Sequence, residues 1–180
     1  MATIDNARSR YSTVAIGMHW LIGLAVIANI CLAMLTEGLP RDVHRAAMGA
    51  HKAFGMAILA LTLVRILWRL VNRVPPLPET MRAWERRATR FAHFLFYVLL
   101  ILLPLSGWVW MSAADRPIDF FGLFTIPAIV GPDKQLADVL HERHEMLGLT
   151  MLVLVVLHIA AALKHQFIDR DRLLSRMNPF

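Results

Sequence analysis

One cysteine, Cys31, occurs in 180 residues. It lies inside an apolar run, so a secreted disulfide scaffold is excluded. Charge is scarce as well. Charged residues make up 18% and hydrophobic residues 57%, whereas a soluble globular chain is roughly 25% charged and about 45–50% apolar. The mean hydropathy of +0.53 excludes an ordinary soluble domain. The sequence also lacks internal repeats, low-complexity tracts and any stretch that reads as a separate soluble domain. Acidic residues number 13 against 19 basic ones, a formal charge of +6. The basic residues gather at the ends of apolar blocks and form no stripe with interleaved aromatics, which argues against nucleic-acid binding.

What is present comes in apolar blocks of about 20 residues, the length that crosses roughly 30 Å of hydrocarbon as a helix. Four spans are expected: Val14–Leu35, Ala46–Val71, Ala88–Met111 and Val139–Leu163. The start of the chain does not read as a cleaved signal. Arg8 and Arg10 resemble an n-region, but the apolar run is long, carries His19 and lacks an A-x-A exit. Orientation follows from Lys and Arg near the span ends. One side holds Arg8, Arg10, Arg69, Arg73, Arg82, Arg86, Arg87, Arg90, Lys164, Arg170, Arg172 and Arg176. The other holds Arg41, Arg45, Lys52, Arg116, Lys134 and Arg143. Twelve against six places both termini in the cytoplasm. Arg65 falls inside the second span and is expected to snorkel inward. Val74-Pro75-Pro76-Leu77-Pro78 stiffens the cytoplasmic loop. The outer loop from Ser112 to Asp138 carries Phe120-Phe121-Gly122-Leu123-Phe124, apolar enough to lie on the membrane surface or cap the bundle. The fold class is all-α: a single multi-pass membrane domain over residues 1–180, four transmembrane helices in an up-down bundle.

The eight histidines are His19, His44, His51, His93, His141, His144, His158 and His165. Ionisable side chains within spans are costly and mark function by default. His144 and His158 lie fourteen residues apart on the fourth span, which puts them on nearly one face and about 21 Å apart along the axis. Two stacked sites result, one near each membrane surface. Each needs a second imidazole at matching depth. His51 matches His144 on the outer side, and His19 matches His158 on the inner side. Four residues after each stands a small residue: Gly23, Gly55, Gly148 and Ala162. That position shares the helical face, so a large planar ring can approach the backbone, although glycine also serves helix packing in membranes. After His93, at a similar depth to His19 on the third span, the matching residue is Tyr97.

Zinc or copper sites gather three or four ligands at one point, whereas these histidines are spread in layers. Two axial imidazoles with an apolar slot suit haem iron. No C-x-x-C-H occurs, so covalent c-type attachment is excluded and two b-type haems are expected. With both axial positions taken by histidine, such a pair serves electron transfer across the bilayer, and catalysis belongs at its ends. A haem-free transporter that uses the histidines for protons or metal ions is the contrasting alternative.

Met18-His19-Trp20-Leu21, Ala50-His51-Lys52 with Gly55, Arg143-His144-Glu145 with Gly148, and Leu157-His158-Ile159-Ala160-Ala161-Ala162-Leu163-Lys164-His165 together resemble the bacterial cytochrome b561 family over nearly the whole chain. The resemblance implies a bacterial inner-membrane protein with two haem b groups on His19, His51, His144 and His158. It also implies electron exchange with ubiquinone, some members being similar to superoxide oxidase. Related b-type subunits instead carry electrons for hydrogenases and other dehydrogenases, which makes a partner redox protein the second reading. Arg41, Arg45, Lys52 and Arg143 at the outer mouth are candidates to steer a small anion such as superoxide, or to bind haem propionates or lipid phosphates. His165, two turns beyond His158, is the candidate hydrogen-bond and proton donor to a quinone at the inner mouth.

Overall fold

The computed structural model describes residues 11–72, 74–77, 81–171 and 173–178. Arg8, Arg10, Arg73, Pro78 and Arg172, used above for orientation and the loop, lie outside the described residues. Four long helices follow one another: α1 (Thr13–Leu35), α2 (Arg41–Val71), α3 (Ala83–Ala113) and α4 (Lys134–Lys164). All four are long and apolar enough to cross a membrane. In sequence order each packs on the next, α1 on α2, α2 on α3 and α3 on α4, an up-down bundle.

The helices run past the apolar stretches because polar turns continue them beyond the hydrocarbon. α2 starts at Arg41 behind Pro40, whose fixed φ suits a helix entrance. Ser12 accepts a hydrogen bond from the Ala15 amide at 3.3 Å and caps α1. Asp133 accepts from the Leu136 amide at 3.0 Å and caps α4. At the start of α3 the Glu85 carboxylate accepts from the Arg82 amide at 3.1 Å. These side chains satisfy amides that a helix start leaves unpaired.

The core is thin. Ile22, Val26, Ile58, Leu99, Leu100 and Met151 form the buried cluster at its centre, and Met151 falls midway between His144 and His158. Outward, Leu24, Leu35, Leu67, Leu70, Phe91, Leu149 and Val156 are exposed. Soluble proteins rarely show so much contiguous apolar surface; here it faces lipid.

The long loop contains a feature that hydropathy did not suggest. Ile118–Phe120 (β1) and Phe124–Ile126 (β2) pair antiparallel, Phe120 opposite Phe124. The turn between them puts Phe121 at φ 53° and Gly122 at φ 74°. Gly122 tolerates that left-handed region without steric penalty, and its amide donates to Asp119 at 2.6 Å. β1 packs against α2, where the Phe121 ring meets Phe54 at 5.2 Å between centroids. The hairpin thus covers one end of the bundle. That end, holding the start of α2 and α4, is the hairpin side; the other, where α1 begins and α4 ends, is the termini side. After α4 the chain continues through a π turn (His165–Asp169) and a 3-10 turn (Leu174–Met177). The latter is held to α1 by Trp20, whose indole donates to the Met177 carbonyl at 2.8 Å.

Candidate functional site: two histidine layers

On the hairpin side α2 and α4 bring His51 and His144 together, ring centroids 6.2 Å apart. On the termini side α1 and α4 bring His19 and His158 to the same 6.2 Å. Because α4 is unbroken, the layers are separated by about 21 Å of helix rise. The equal separations leave room for a group held between the two rings of each pair, and the imidazoles would supply its nitrogen ligands.

The hairpin-side pair is fixed further. The Asn29 backbone carbonyl can only accept, so the contact of 3.0 Å makes His51 Nδ1–H the donor. The Ser106 hydroxyl gives its own proton to the Leu103 carbonyl at 2.8 Å. Its oxygen therefore accepts from His144 Nδ1–H at 3.0 Å. Each bond leaves the Nε2 lone pair free for a metal, the tautomer that bound histidine requires. Gly107 belongs to the same arrangement. A Cβ built there would stand 3.1 Å from His144 Cε1, so the ring lies against bare α3 backbone. The sequence reading missed Ser106 and Gly107; a Ser-Gly pair at that depth was the available signal. Trp110 flanks this layer, 5.8 Å from the His144 ring.

The glycines four residues beyond three of the ligand candidates leave open space on those helix faces. A Cβ on Gly23 or Gly148 would meet no atom within 4 Å, and one on Gly55 meets only the Asn29 side-chain amide at 3.9 Å. The Asn29 Oδ1 beside it is buried without a partner, a polar atom suited to a group with its own donors or bound water.

The termini-side layer holds three rings. His93 on α3 also stands 6.2 Å from His158, so distance alone does not separate it from His19. Phe96 packs edge-on against His158 at 5.2 Å, and Trp20 against His19 at 5.7 Å. Arg65 reaches into this layer. Its guanidinium donates to the Ala15 carbonyl at 2.9 Å and to the Tyr97 hydroxyl at 3.4 Å, one turn from His19 and one turn from His93.

His165 is buried. Its Nδ1 stands 2.7 Å from the Asp171 carboxylate and 3.2 Å from Asp169. These three offer metal-ligand atoms within 4.8 Å of one another, but the Lys164 ammonium bridges Asp169 at 2.6 Å and Glu85 at 2.9 Å, so the cluster is already an ion-pair network. Beside it opens a cavity of ≈ 310 Å³ lined by Met81, Arg82, Trp84, Glu85, Lys164, Asp169 and Asp171. At the opposite mouth Arg41, Arg45 and Arg143 are exposed and Lys52 is half-buried. Among the described residues none of the four carries an ion pair. They share that side with Glu37, Asp42, Asp115, Asp119, Asp133, Asp138, Glu142 and Glu145, so eight carboxylates stand against six cations there, and any attraction for an anion is local.

The sequence profile of prokaryotic cytochrome b561 matches residues 10–179. The chain belongs to the prokaryotic cytochrome b561 family. It is 33% identical to cytochrome b561 homolog 2 of Escherichia coli (strain K12), over 97% of this chain and 94% of that protein. It is 31% identical to a probable superoxide oxidase CybB of Yersinia pestis, over 94% and 96%. A cytochrome b562 of Cereibacter sphaeroides is similar at 27%, over 93% and 94%. As a b561 protein the chain is a multi-pass membrane cytochrome of the electron-transfer class, in a family that binds b-type haem. A haem-free transporter does not fit that membership.

Proposed function

We propose that this cytochrome b561 carries electrons across the membrane between two haem b groups, one on His51 and His144, the other on His19 and His158. The observation that carries the reading is the pair of 6.2 Å imidazole separations stacked along one helix. Haem b, when bound, would supply one-electron redox chemistry. The protein's part is to present Nε2 of each ring, to keep water from the centre with the Ile22–Met151 core, and to gate the two mouths. The whole chain acts as one such unit. The charge asymmetry supports both termini on the cytoplasmic side of the bacterial inner membrane.

The donor on the hairpin side is superoxide, and the acceptor on the termini side is ubiquinone. Two superoxide anions lose one electron each to become dioxygen, and one quinone gains two electrons and two protons. Superoxide is supported by the name of the Yersinia relative and by Arg41, Arg45, Lys52 and Arg143, which carry no ion pair among the described residues. The quinone is supported by the cavity of ≈ 310 Å³, within the roughly 300–1,000 Å³ usual for ligand pockets. His165 does not line that cavity but is joined to it through Asp171, 2.7 Å from its Nδ1, and is the proton donor this reading assigns to the quinone.

A second reading is an electron-carrying subunit for a dehydrogenase or hydrogenase. The excess of carboxylates on the hairpin side and the exposed Leu123 and Phe124 favour a cationic protein donor there. One experiment tests both. Haem reduction by superoxide in the purified protein is followed as ionic strength rises, with and without neutralisation of the four cations. Superoxide as donor requires reduction that slows with salt, since screening acts over about 8–10 Å, and slows again on neutralisation with the haem spectra intact. Quinone that stays oxidised while superoxide is supplied would leave only the subunit reading.

A further inference from the structure

We propose that the chain holds its two layers at different reduction potentials, the hairpin-side one lower, through Ser106 and the Asn29 carbonyl on that side and Arg65 on the other. The proposal rests on the di-haem reading above. It assigns to these residues a role in positioning the ligands and their charge.

Both hairpin-side rings give Nδ1–H to an oxygen, His51 to Asn29 O at 3.0 Å and His144 to Ser106 Oγ at 3.0 Å. The Ser106 proton is committed to Leu103 O, so its oxygen stays an acceptor. An acceptor at Nδ1 draws the ring proton outward and raises electron density at Nε2. A richer nitrogen stabilises the more positive, oxidised iron, and the potential falls.

The termini-side rings differ twice. Among the described residues, His19, His93 and His158 have no hydrogen-bond acceptor; their neighbours are rings such as Trp20 and Phe96. In place of acceptors stands Arg65, which among the described residues is anchored to the neutral Ala15 carbonyl and Tyr97 hydroxyl. Those anchors lie one turn from His19 and one turn from His93, so its charge sits beside both rings. No carboxylate among the described residues pairs with it. A cation held in low dielectric near the iron favours the less positive, reduced form and raises the potential. The two observations are independent and point the same way: an electron rests more stably on the termini side, where the quinone cavity opens.

Redox titration of the purified full-length protein tests this, with haem content measured first. The wild type should show two one-electron steps whose equilibrium constants differ at least tenfold, about 59 mV. His51→Ala should abolish the lower step. Ser106→Ala should raise the lower step and leave the upper one fixed, and Ser106→Thr should restore it. Arg65→Gln should lower the upper step alone, and Arg65→Lys should spare it. If Ser106→Ala loses haem, the Arg65 pair decides. The proposal is overturned if His51→Ala abolishes the upper step, or if the variants keep both haems and neither step moves. Fewer than two haems b per chain, or a His51→Ala protein with both, would instead reject the di-haem reading, before any potential is read.

Discussion

His51 and His144 are each tied at one ring nitrogen. Each commits Nδ1 to an oxygen acceptor, and the His144 ring also lies on the bare backbone of Gly107. His19 and His158 face each other across the same 6.2 Å without such acceptors, with His93 competing at equal distance and Arg65 beside them. One layer is specified by directional hydrogen bonds, and the other by packing and charge. Hydrogen bonds fix ring rotation and tautomer, whereas an apolar contact fixes only distance. The rings near the hairpin are therefore fixed in rotation and tautomer by hydrogen bonds, and those near the termini are placed by packing.

The largest expected effects test whether the layers are separate. His51→Ala and His144→Ala should each remove the same one of two haems, and His158→Ala the other, read by pyridine haemochrome content and low-temperature spectra. Loss of both haems from any one of these would merge the layers into a single site. Next, His19→Ala should remove the termini-side haem while His93→Ala keeps it. The reverse result would hand that layer to α3. His165→Ala should slow quinone reduction by about a hundredfold, the low end of a general acid's contribution, with both haems still reducible from the hairpin side. Unchanged quinone turnover would return His165 to a purely structural part in the Lys164–Glu85–Asp169 network. The smallest effect belongs to Gly107→Ala. Its methyl would meet His144 Cε1 at 3.1 Å, and the ring, tied to Ser106, cannot swing away without stretching that bond. Overpacking of about 1 kcal/mol should weaken haem retention in the hairpin-side layer roughly fivefold, measured by haem transfer to apomyoglobin, with the other layer unaffected.

Residues His144 and His158 could be placed in two layers without a structure, because helical rise and phase are local properties of one chain segment. The same holds for the four apolar spans, since hydrocarbon thickness sets their length, and for the charge asymmetry at their ends. Depth could be read, but rotation could not. Whether His19 or His93 turns towards His158 depends on how α1 and α3 are rotated about their own axes, and that follows from packing against three neighbours at once. The hairpin at Ile118–Ile126 was hidden for a related reason: its strands are only three residues each, too short for alternation to register, and it is held by Phe121 on Phe54. The acceptors of the two hairpin-side rings were also out of reach. Asn29 O is 22 residues from His51, and Ser106 is 38 from His144. Nothing in a backbone carbonyl announces such a partner, and a Ser-Gly pair at that depth does not say which ring it serves. Hydrocarbon thickness and helical periodicity therefore carried the four spans and the spacing of His144 and His158, being written within single segments. The partners of Nδ1, the seat for His144 at Gly107 and the setting of Arg65 exist only between segments, and the packing of four helices created them.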